Sequence, residues 1–208
     1  MKKIICSLLI ALSSISIANA AELSDAQKKD LAELNIMTGD ENGSLNLDKN
    51  ITRAEAARII CSAGAIEPKT SEAPFPDVSA DHWAYKYICA AKDAGIVAGD
   101  ENGYFNPQNN VTNEEIVKMI DCLLGYDAMA DFLGGYPAGY TAVAAQFGLT
   151  KDMKLIPGGY ATRNDVGIMI SNALNLPMVI KKDDYTHFVA DGTEGMPKIT
   201  LRSKYHTK

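Results

Sequence analysis

The sequence has few of the residues from which metal centres and nucleophilic active sites are usually built. Its 208 residues include three histidines and four cysteines, and they contain no C-x-x-C pair and no histidine at ligand spacing. Patterns typical of a catalytic triad, a paired-carboxylate site or a phosphate-binding loop are also missing. We therefore expect no metal, no cofactor and no enzymatic activity.

Basic residues and long apolar runs are scarce as well. The net charge of -6 makes nucleic acid a poor candidate partner. One apolar run follows Lys2 and Lys3 and ends in Ala18-Asn19-Ala20, a pattern typical of a secretory signal peptide cleaved after Ala20. The run is shorter than the about 20 apolar residues that a membrane-spanning helix needs. We therefore expect residues 1–20 to be a signal peptide and the secreted chain, with a net charge of -8 after loss of two lysines, to have no membrane span.

Three cysteines remain after the predicted cleavage, namely Cys61, Cys89 and Cys122. Each lies among apolar residues in a helix-like segment, which predicts buried free thiols. An odd number excludes complete pairing within the chain, although one disulfide bond stays possible.

An internal repeat organises the rest of the chain. The segment Gly39-Asp40-Glu41-Asn42-Gly43 recurs 60 residues later as Gly99-Asp100-Glu101-Asn102-Gly103, and the same offset continues into the following segments. A weaker third copy keeps Ala161-Thr162-Arg163 but has a shorter loop without the Gly-Asp-Glu-Asn-Gly block. We predict a first repeat at residues 21–67, a second at 73–127, a degenerate third at 128–177, and a strand-like tail of unassigned role at 178–208.

Each repeat has the pattern of a helix, a glycine-rich loop and a second helix. Ser24 marks the start of the first helix, and the apolar spacing predicts helices at residues 81–94, 112–124, 140–147 and 163–174. One such helical hairpin has too little apolar surface to be stable alone. We therefore expect a mainly α fold in which the repeats share a core.

The second helices begin with a capping signal. Thr52 and Glu55 have the spacing of a capping box, Thr112 and Glu115 repeat it, and Thr162 occupies the equivalent position in the third repeat. These residues are interpreted as helix caps.

Arginine follows the capping threonine at Arg53 and Arg163, where a capping box does not require it and the helix dipole slightly disfavours a cation. Free amides at a helix start together with a guanidinium can receive a carboxylate or phosphate. The two arginines are therefore candidate anion-binding residues, although they could also be ordinary solvated side chains.

Two further features have a structural and a functional interpretation. Asp100, Asn102 and Tyr104 are spaced like the first ligands of a calcium loop, but the glutamate expected at the twelfth position is absent, so a turn is favoured. Trp83 can be a core residue on an apolar helical face, a sugar-stacking residue, or both at the edge of a groove.

The second repeat closely resembles an S-layer-homology repeat. Five blocks carry the resemblance in the expected order, namely Phe75-Pro76-Asp77-Val78, Asp81-His82-Trp83-Ala84, Gly95-Ile96-Val97-Ala98-Gly99, Gly103-Tyr104-Phe105-Asn106-Pro107 and Val111-Thr112. The first repeat carries the C-terminal half of the pattern with Thr-Arg-Ala-Glu, and the third keeps mainly Ala161-Thr162-Arg163.

The resemblance implies three lobes with pseudo-threefold symmetry around a shared helical core, with grooves between lobes that bind a pyruvylated secondary cell-wall polysaccharide at the surface of a bacterium. It assigns the contact with the acidic sugar to Arg53 and Arg163, and it implies contributions from Asp77, Trp83, Gly39 and Gly99. Asn113 replaces the arginine in the second repeat. The alternative function is a structural surface protein whose repeats associate with each other or with other surface-layer proteins.

Overall fold

A computed structural model describes residues 21–68, 70, 74–181, 187–193 and 197–207. The predicted signal peptide at residues 1–20 lies outside the described residues. The mainly α class is confirmed, and in the described part no helix is long and apolar enough to cross a membrane. The elements are α1 Asp25–Glu33, α2 Arg53–Ala63, α3 Tyr85–Asp93, α4 Asn113–Leu124, α5 Asp127–Phe132, α6 Ala138–Phe147, α7 Arg163–Ala173, β1 Val179–Lys181, β2 His187–Val189 and α8 Leu201–Tyr205.

Capping boxes start the second helix of every repeat. At α2 the Thr52 side chain accepts from the Glu55 N–H at 3.3 Å, while the Glu55 carboxylate accepts from the Thr52 N–H at 2.9 Å. Thr112 with Glu115 and Thr162 with Asp165 make the same reciprocal pair at α4 and α7. Local hydrogen bonds therefore fix where these three helices begin.

The Gly-Asp-Glu-Asn-Gly loops are turns organised around their aspartate. Asp100 Oδ1 accepts from the backbone N–H groups of Asn102 and Tyr104, and Oδ2 accepts from the Asn106 amide at 2.9 Å. These bonds hold the pKa of Asp100 below its usual value. Asp40 makes the same three kinds of bond in the first repeat, so the loop carboxylates are engaged within their own turns.

Three backbone segments from the three repeats meet in a closed ring. The Ile51 N–H donates to the Ala161 carbonyl at 3.0 Å, the Ala161 N–H to the Val111 carbonyl at 2.9 Å, and the Val111 N–H to the Ile51 carbonyl at 3.0 Å. All three side chains are buried. Each repeat is thus bonded to the next in one rotational direction, while pseudo-threefold symmetry of the whole repeats stays a prediction.

One hydrophobic core runs through all three repeats. α2 packs against α3 and α4, and α4 packs against α6 and α7. Ile60, Ile120 and Ile170 occupy equivalent positions in α2, α4 and α7 and are fully buried. Cys61 and Cys89 are buried in this core, Cys122 is half-buried, and all three are free thiols.

The structure corrects two boundaries that we predicted from periodicity. α3 begins at Tyr85 rather than near residue 81, because residues 79–84 form turns in which the His82 N–H donates to the Ser79 carbonyl at 2.9 Å. In the tail, which we predicted to be strand-like, residues 179–181 and 187–189 pair as antiparallel strands, but residues 201–205 form α8. Thr200 instead caps α8, and Leu201 is fully buried.

The tail packs on the repeats rather than standing apart. The Arg202 guanidinium makes a two-pronged ion pair with Asp30 of α1, and His206 Nε2 lies 2.9 Å from the Ala63 carbonyl at the end of α2. The Tyr126 hydroxyl donates to the Pro177 carbonyl. The end of the described chain is therefore tied to α1 and α2 of the first repeat.

Candidate functional site

Three grooves lie between neighbouring repeats, and each is lined by residues near the starts of two of the helices α2, α4 and α7. Groove A is lined by Arg53, Ala98, Gly99, Asp100, Tyr104, Glu115, Lys118 and Tyr136, with neighbouring residues. Groove B is lined by Thr38, Gly39, Asp40, Ser44, Lys49, Glu55, Arg58, Trp83 and Arg163, with neighbouring residues. Groove C is lined by Ala21, Glu22, Leu47, Asp48, Asn113, Lys154, Leu155, Ile156, Tyr160 and Asp165, with neighbouring residues.

Grooves A and B are built from equivalent positions. Gly99, Glu115 and Lys118 line groove A, and the residues 60 positions earlier, Gly39, Glu55 and Arg58, line groove B. In each case the arginine comes from the preceding repeat in the ring, Arg53 for groove A and Arg163 for groove B. The repeat in the sequence therefore reappears as two copies of one site.

Each arginine is held by three bonds to the neighbouring repeat. Arg163 donates from Nε to the Leu45 carbonyl at 2.8 Å, from Nη2 to the Thr38 carbonyl at 3.3 Å, and from Nη1 to the Glu55 carboxylate at 3.4 Å. Arg53 makes the same set with the Phe105 carbonyl at 2.8 Å, the Ala98 carbonyl at 3.2 Å and Glu115 at 3.0 Å. A guanidinium has five N–H groups, so each fork is fixed in place and keeps two donors for a ligand.

The prediction that free helix-start amides receive an anion is wrong for α2 and α7. The N–H groups of Arg53 and Ala54 donate to the carbonyls of Asn109 and Pro107, and those of Arg163 and Asn164 donate to Lys49 and Leu47. The next N–H in each helix is bonded to the capping threonine. Carbonyl groups of the neighbouring repeat thus already accept hydrogen bonds from these amides, so side chains must supply the contacts to an anion.

An exposed aromatic residue lies in each of these two grooves. Trp83 is 55% exposed and stands outside α3 in groove B, so its interpretation as a core residue is wrong. Tyr136 is 48% exposed and lines groove A, where the Lys118 ammonium lies 5.3 Å from its ring centroid. An indole or phenol face beside cationic groups suits a sugar ring that carries a negative charge.

The structure brings together some of the predicted site residues and separates others. Arg163, Gly39 and Trp83 share groove B, while Arg53 and Gly99 share groove A. Asp77 lines none of the three grooves. Its two carboxylate oxygens instead accept hydrogen bonds from the backbone N–H groups of Phe105 and Asn106 at 2.8 and 2.6 Å.

Sequence reasoning missed Arg58, Lys118 and Tyr136. Arg58 and Lys118 were detectable, because both are basic and they stand 60 residues apart in the repeat register. Tyr136 lies in a segment for which the repeats gave no equivalent.

Groove C differs from the other two at the arginine position. Asn113 stands there, with its side-chain amide donating to the Ile156 carbonyl at 3.1 Å. Asp165 stands at the position of Glu55 and Glu115, and its Oδ2 accepts from the Thr162 N–H, but no cation pairs with it among the described residues.

Comparison with known proteins agrees with this architecture. The family model for the S-layer homology domain matches residues 29–57 and 74–116. The middle cell wall protein of Brevibacillus brevis is 31% identical over 99% of this chain and 21% of its own length. The surface-layer 125 kDa protein of Lysinibacillus sphaericus is 29% identical over 80% of this chain and 16% of its own length.

The fold and grooves define a helical repeat protein whose sites form between repeats. Residues 29–57 and 74–116 are S-layer homology segments, and the cell-wall and surface-layer relatives support a secreted, cell-surface localisation. It spans about a fifth of the length of the relatives it matches. An endoglucanase of a Bacillus species, 34% identical over 49% of this chain, shares only 12% of its own length with it.

Proposed function

We propose that this chain anchors itself non-covalently to the bacterial cell wall by binding an anionic, pyruvylated secondary cell-wall polysaccharide in grooves A and B, without catalysing a reaction. The single observation that carries the proposal is groove B, in which an immobilised arginine, Arg163, lies with Arg58 and the exposed Trp83. These groups offer charge, planar hydrogen-bond donors and a stacking face to one acidic sugar.

The local charge of groove B favours an acidic ligand more than the charge of the whole chain does. Groove B is lined by three basic side chains, Lys49, Arg58 and Arg163, against two acidic ones, Asp40 and Glu55. Both acidic groups are engaged, Asp40 within its turn and Glu55 with Thr52 and Arg163. A secreted chain of net charge -8 would repel an acidic polymer, so cations concentrated in grooves are needed for binding.

The test is the affinity of the purified wall polymer for variants at the grooves. Arg53→Ala and Arg163→Ala should each weaken binding about ten- to hundredfold, because each removes a charge-assisted contact, and Asn113→Ala should have little effect. The double variant with alanine at both positions should nearly abolish binding. Lysine in place of either arginine should restore little affinity, because it lacks the planar guanidinium.

Because the arginines also hold neighbouring repeats together, a second set of variants leaves those bonds intact. Trp83→Ala and Lys118→Ala remove groove residues whose side chains make no hydrogen bond between repeats within the described part of the chain. We expect about a tenfold loss of polymer affinity for Trp83→Ala. Phe132→Ala is the matched control, since Phe132 is 88% exposed and lines no groove.

The proposal fails if folded variants at Arg53, Arg163 and Trp83 bind the polymer as well as the parent chain does. We also expect cell-wall sacculi to retain the chain before, but not after, removal of the secondary polymer. Retention that survives this removal would favour the alternative of association with other surface-layer proteins.

A further inference from the structure

Groove C presents hydrogen-bond acceptors at the place where grooves A and B hold a guanidinium. Asn113 is 5% exposed and donates from Nδ2 to the Ile156 carbonyl at 3.1 Å, which fixes the orientation of its amide. Its carbonyl oxygen Oδ1 has no hydrogen-bond partner among the residues that the structure describes. A buried acceptor without a partner costs free energy, and a donor supplied by a ligand would remove that cost.

The carboxylate of Asp165 faces the same groove without a counter-charge. In grooves A and B the equivalent carboxylates, those of Glu115 and Glu55, are paired with arginine at 3.0 and 3.4 Å. Asp165 uses Oδ2 to cap α7, and no bond is made to its Oδ1 among the described residues. The charge around it is also reversed, because groove C is lined by three acidic side chains, Glu22, Asp48 and Asp165, and one basic side chain, Lys154.

We propose that groove C binds a primary ammonium group, which takes the place of the missing guanidinium between Asp165 and Asn113. The proposal extends the wall-binding function to the third groove but reverses the chemistry of the ligand. A compact ammonium has three donors, enough for both side-chain oxygens and one further acceptor. Grooves A and B show that a cation is tolerated at this point beside the starts of two helices.

The walls of groove C indicate that the ammonium is carried by a sugar-sized group rather than being a free ion. Ile156 is 67% exposed and Tyr160 is 56% exposed, and both line the groove together with Leu47 and Leu155. The cavity is about 810 Å³, against about 290 Å³ for groove A. An amino sugar whose nitrogen is not acetylated combines an ammonium with a ring that can lie on these walls.

The chain itself offers a second source of the same ammonium. Ala21 lines groove C, and Asn164 fixes it there by donating to the Ala21 carbonyl at 2.8 Å and accepting from the Leu23 N–H at 2.9 Å. If the signal peptide is cleaved after Ala20, the α-ammonium of Ala21 is formed beside the groove. The two sources share one chemistry and are separated by experiment.

The experiment is an NMR titration of the chain beginning at Ala21 with glucosamine, with N-acetylglucosamine as the uncharged comparison. Glucosamine should shift the Asn113 side-chain amide and the backbone amides near Ile156, and N-acetylglucosamine should bind at least about tenfold more weakly.

Three variants test which residues hold the ammonium. Asp165→Asn should lower the affinity for glucosamine about tenfold while preserving the helix cap, since an amide oxygen still accepts from the Thr162 N–H. Asn113→Arg should close the groove to glucosamine by pairing with Asp165. Glu101→Gln, which removes a charge outside every groove, should change nothing.

A parallel titration uses the same chain with the Ala21 amine acetylated. Equal glucosamine binding by both chains assigns the site to an external amino sugar, whereas binding only after acetylation assigns it to the chain's own α-ammonium. The proposal is overturned if neither chain binds glucosamine, if N-acetylglucosamine binds equally well, or if Asp165→Asn has no effect. None of these readouts uses wall polymer, so they are independent of the arginine test in grooves A and B.

Discussion

A buried carboxyl group, Asp121, is the most unusual single residue of the core. Asp121 is fully buried in α4, both of its carboxylate oxygens lack hydrogen-bond partners within the described residues, and burial raises its pKa to about 8. Cys61 of α2 and Ser171 of α7 occupy the equivalent positions and are also buried. The core therefore accepts small side chains at these positions, and of the three helices only α4 places a carboxyl group there.

Asp121 should make the stability of the chain depend on pH. Its pKa is higher in the folded chain than in the unfolded chain, so between about pH 4 and pH 8 the folded state holds a proton that the unfolded state has lost. The free energy of unfolding should fall by a few kcal/mol as pH rises through this window and level off above about pH 8. Urea unfolding of the parent chain and of Asp121→Ala at pH 5, 7 and 9 measures this. We expect the free energy of unfolding of the parent chain to fall as pH rises and that of Asp121→Ala to change much less. If the two chains show the same dependence on pH, Asp121 is not its cause.

At the residue scale, the sequence predicted those site residues that recur in register. Arg53 and Arg163, Gly39 and Gly99 could be found because each occurs twice in an equivalent position. Trp83 was recognised as a candidate, but its exposure could not be predicted, because periodicity placed it inside α3 and the structure begins that helix two residues later, at Tyr85. The orphaned oxygen of Asn113 depends on the Ile156 carbonyl of another repeat, a contact that no local pattern encodes.

At the element scale, helices with a capping signal or a clear apolar periodicity were predictable, and the short helices α5 and α8 were not. Ser24, Thr52, Thr112 and Thr162 all cap the helices that we expected from them. α5 has no side-chain cap and only six residues, so neither cap nor periodicity indicates it. α8 has a cap at Thr200 but only five residues, and its β-branched neighbours favour a strand.

Close packing of α5 against α6 depends on Gly139. A Cβ atom at this position would lie 1.9 Å from the Ala130 carbonyl oxygen, which belongs to the backbone and cannot rotate away. Gly139→Ala should therefore separate the two helices and lower the free energy of unfolding by about 2 to 3 kcal/mol.

Gly148→Ala is the control for that change. Gly148 ends the same helix with a positive φ of 85° but has open space around it, so only backbone strain of about 1 kcal/mol is expected. Urea unfolding of both variants measures the difference. Equal losses would mean that α5 and α6 accommodate the methyl group and that close packing is not required.

At the scale of the whole molecule, the ring of backbone bonds and the common core predict one cooperative unfolding transition. A fragment of residues 73–127 loses the partners of Val111 on both sides and exposes core residues of α4, so it should be largely unfolded. Circular dichroism of the fragment and of residues 21–208 tests this. In the longer chain, thiol labelling of Cys61 and Cys89 should rise at the same urea concentration at which helicity falls. A folded fragment, or labelling well before that point, would show independently stable repeats.

The hydrogen bonds between repeats also explain where this chain has diverged from its own pattern. Each groove takes its arginine position from one repeat and its carboxylate and loop from the next. The loss of arginine at Asn113 in the second repeat and the loss of the Gly-Asp-Glu-Asn-Gly loop in the third are far apart in sequence, yet both changes fall on groove C. Arg163, by contrast, is present in the otherwise altered third repeat, and it lies in groove B rather than in groove C. The differences among the three repeats therefore follow the grooves: the third repeat matches the first at the edge that faces groove B and differs from the other two repeats at the edge that faces groove C.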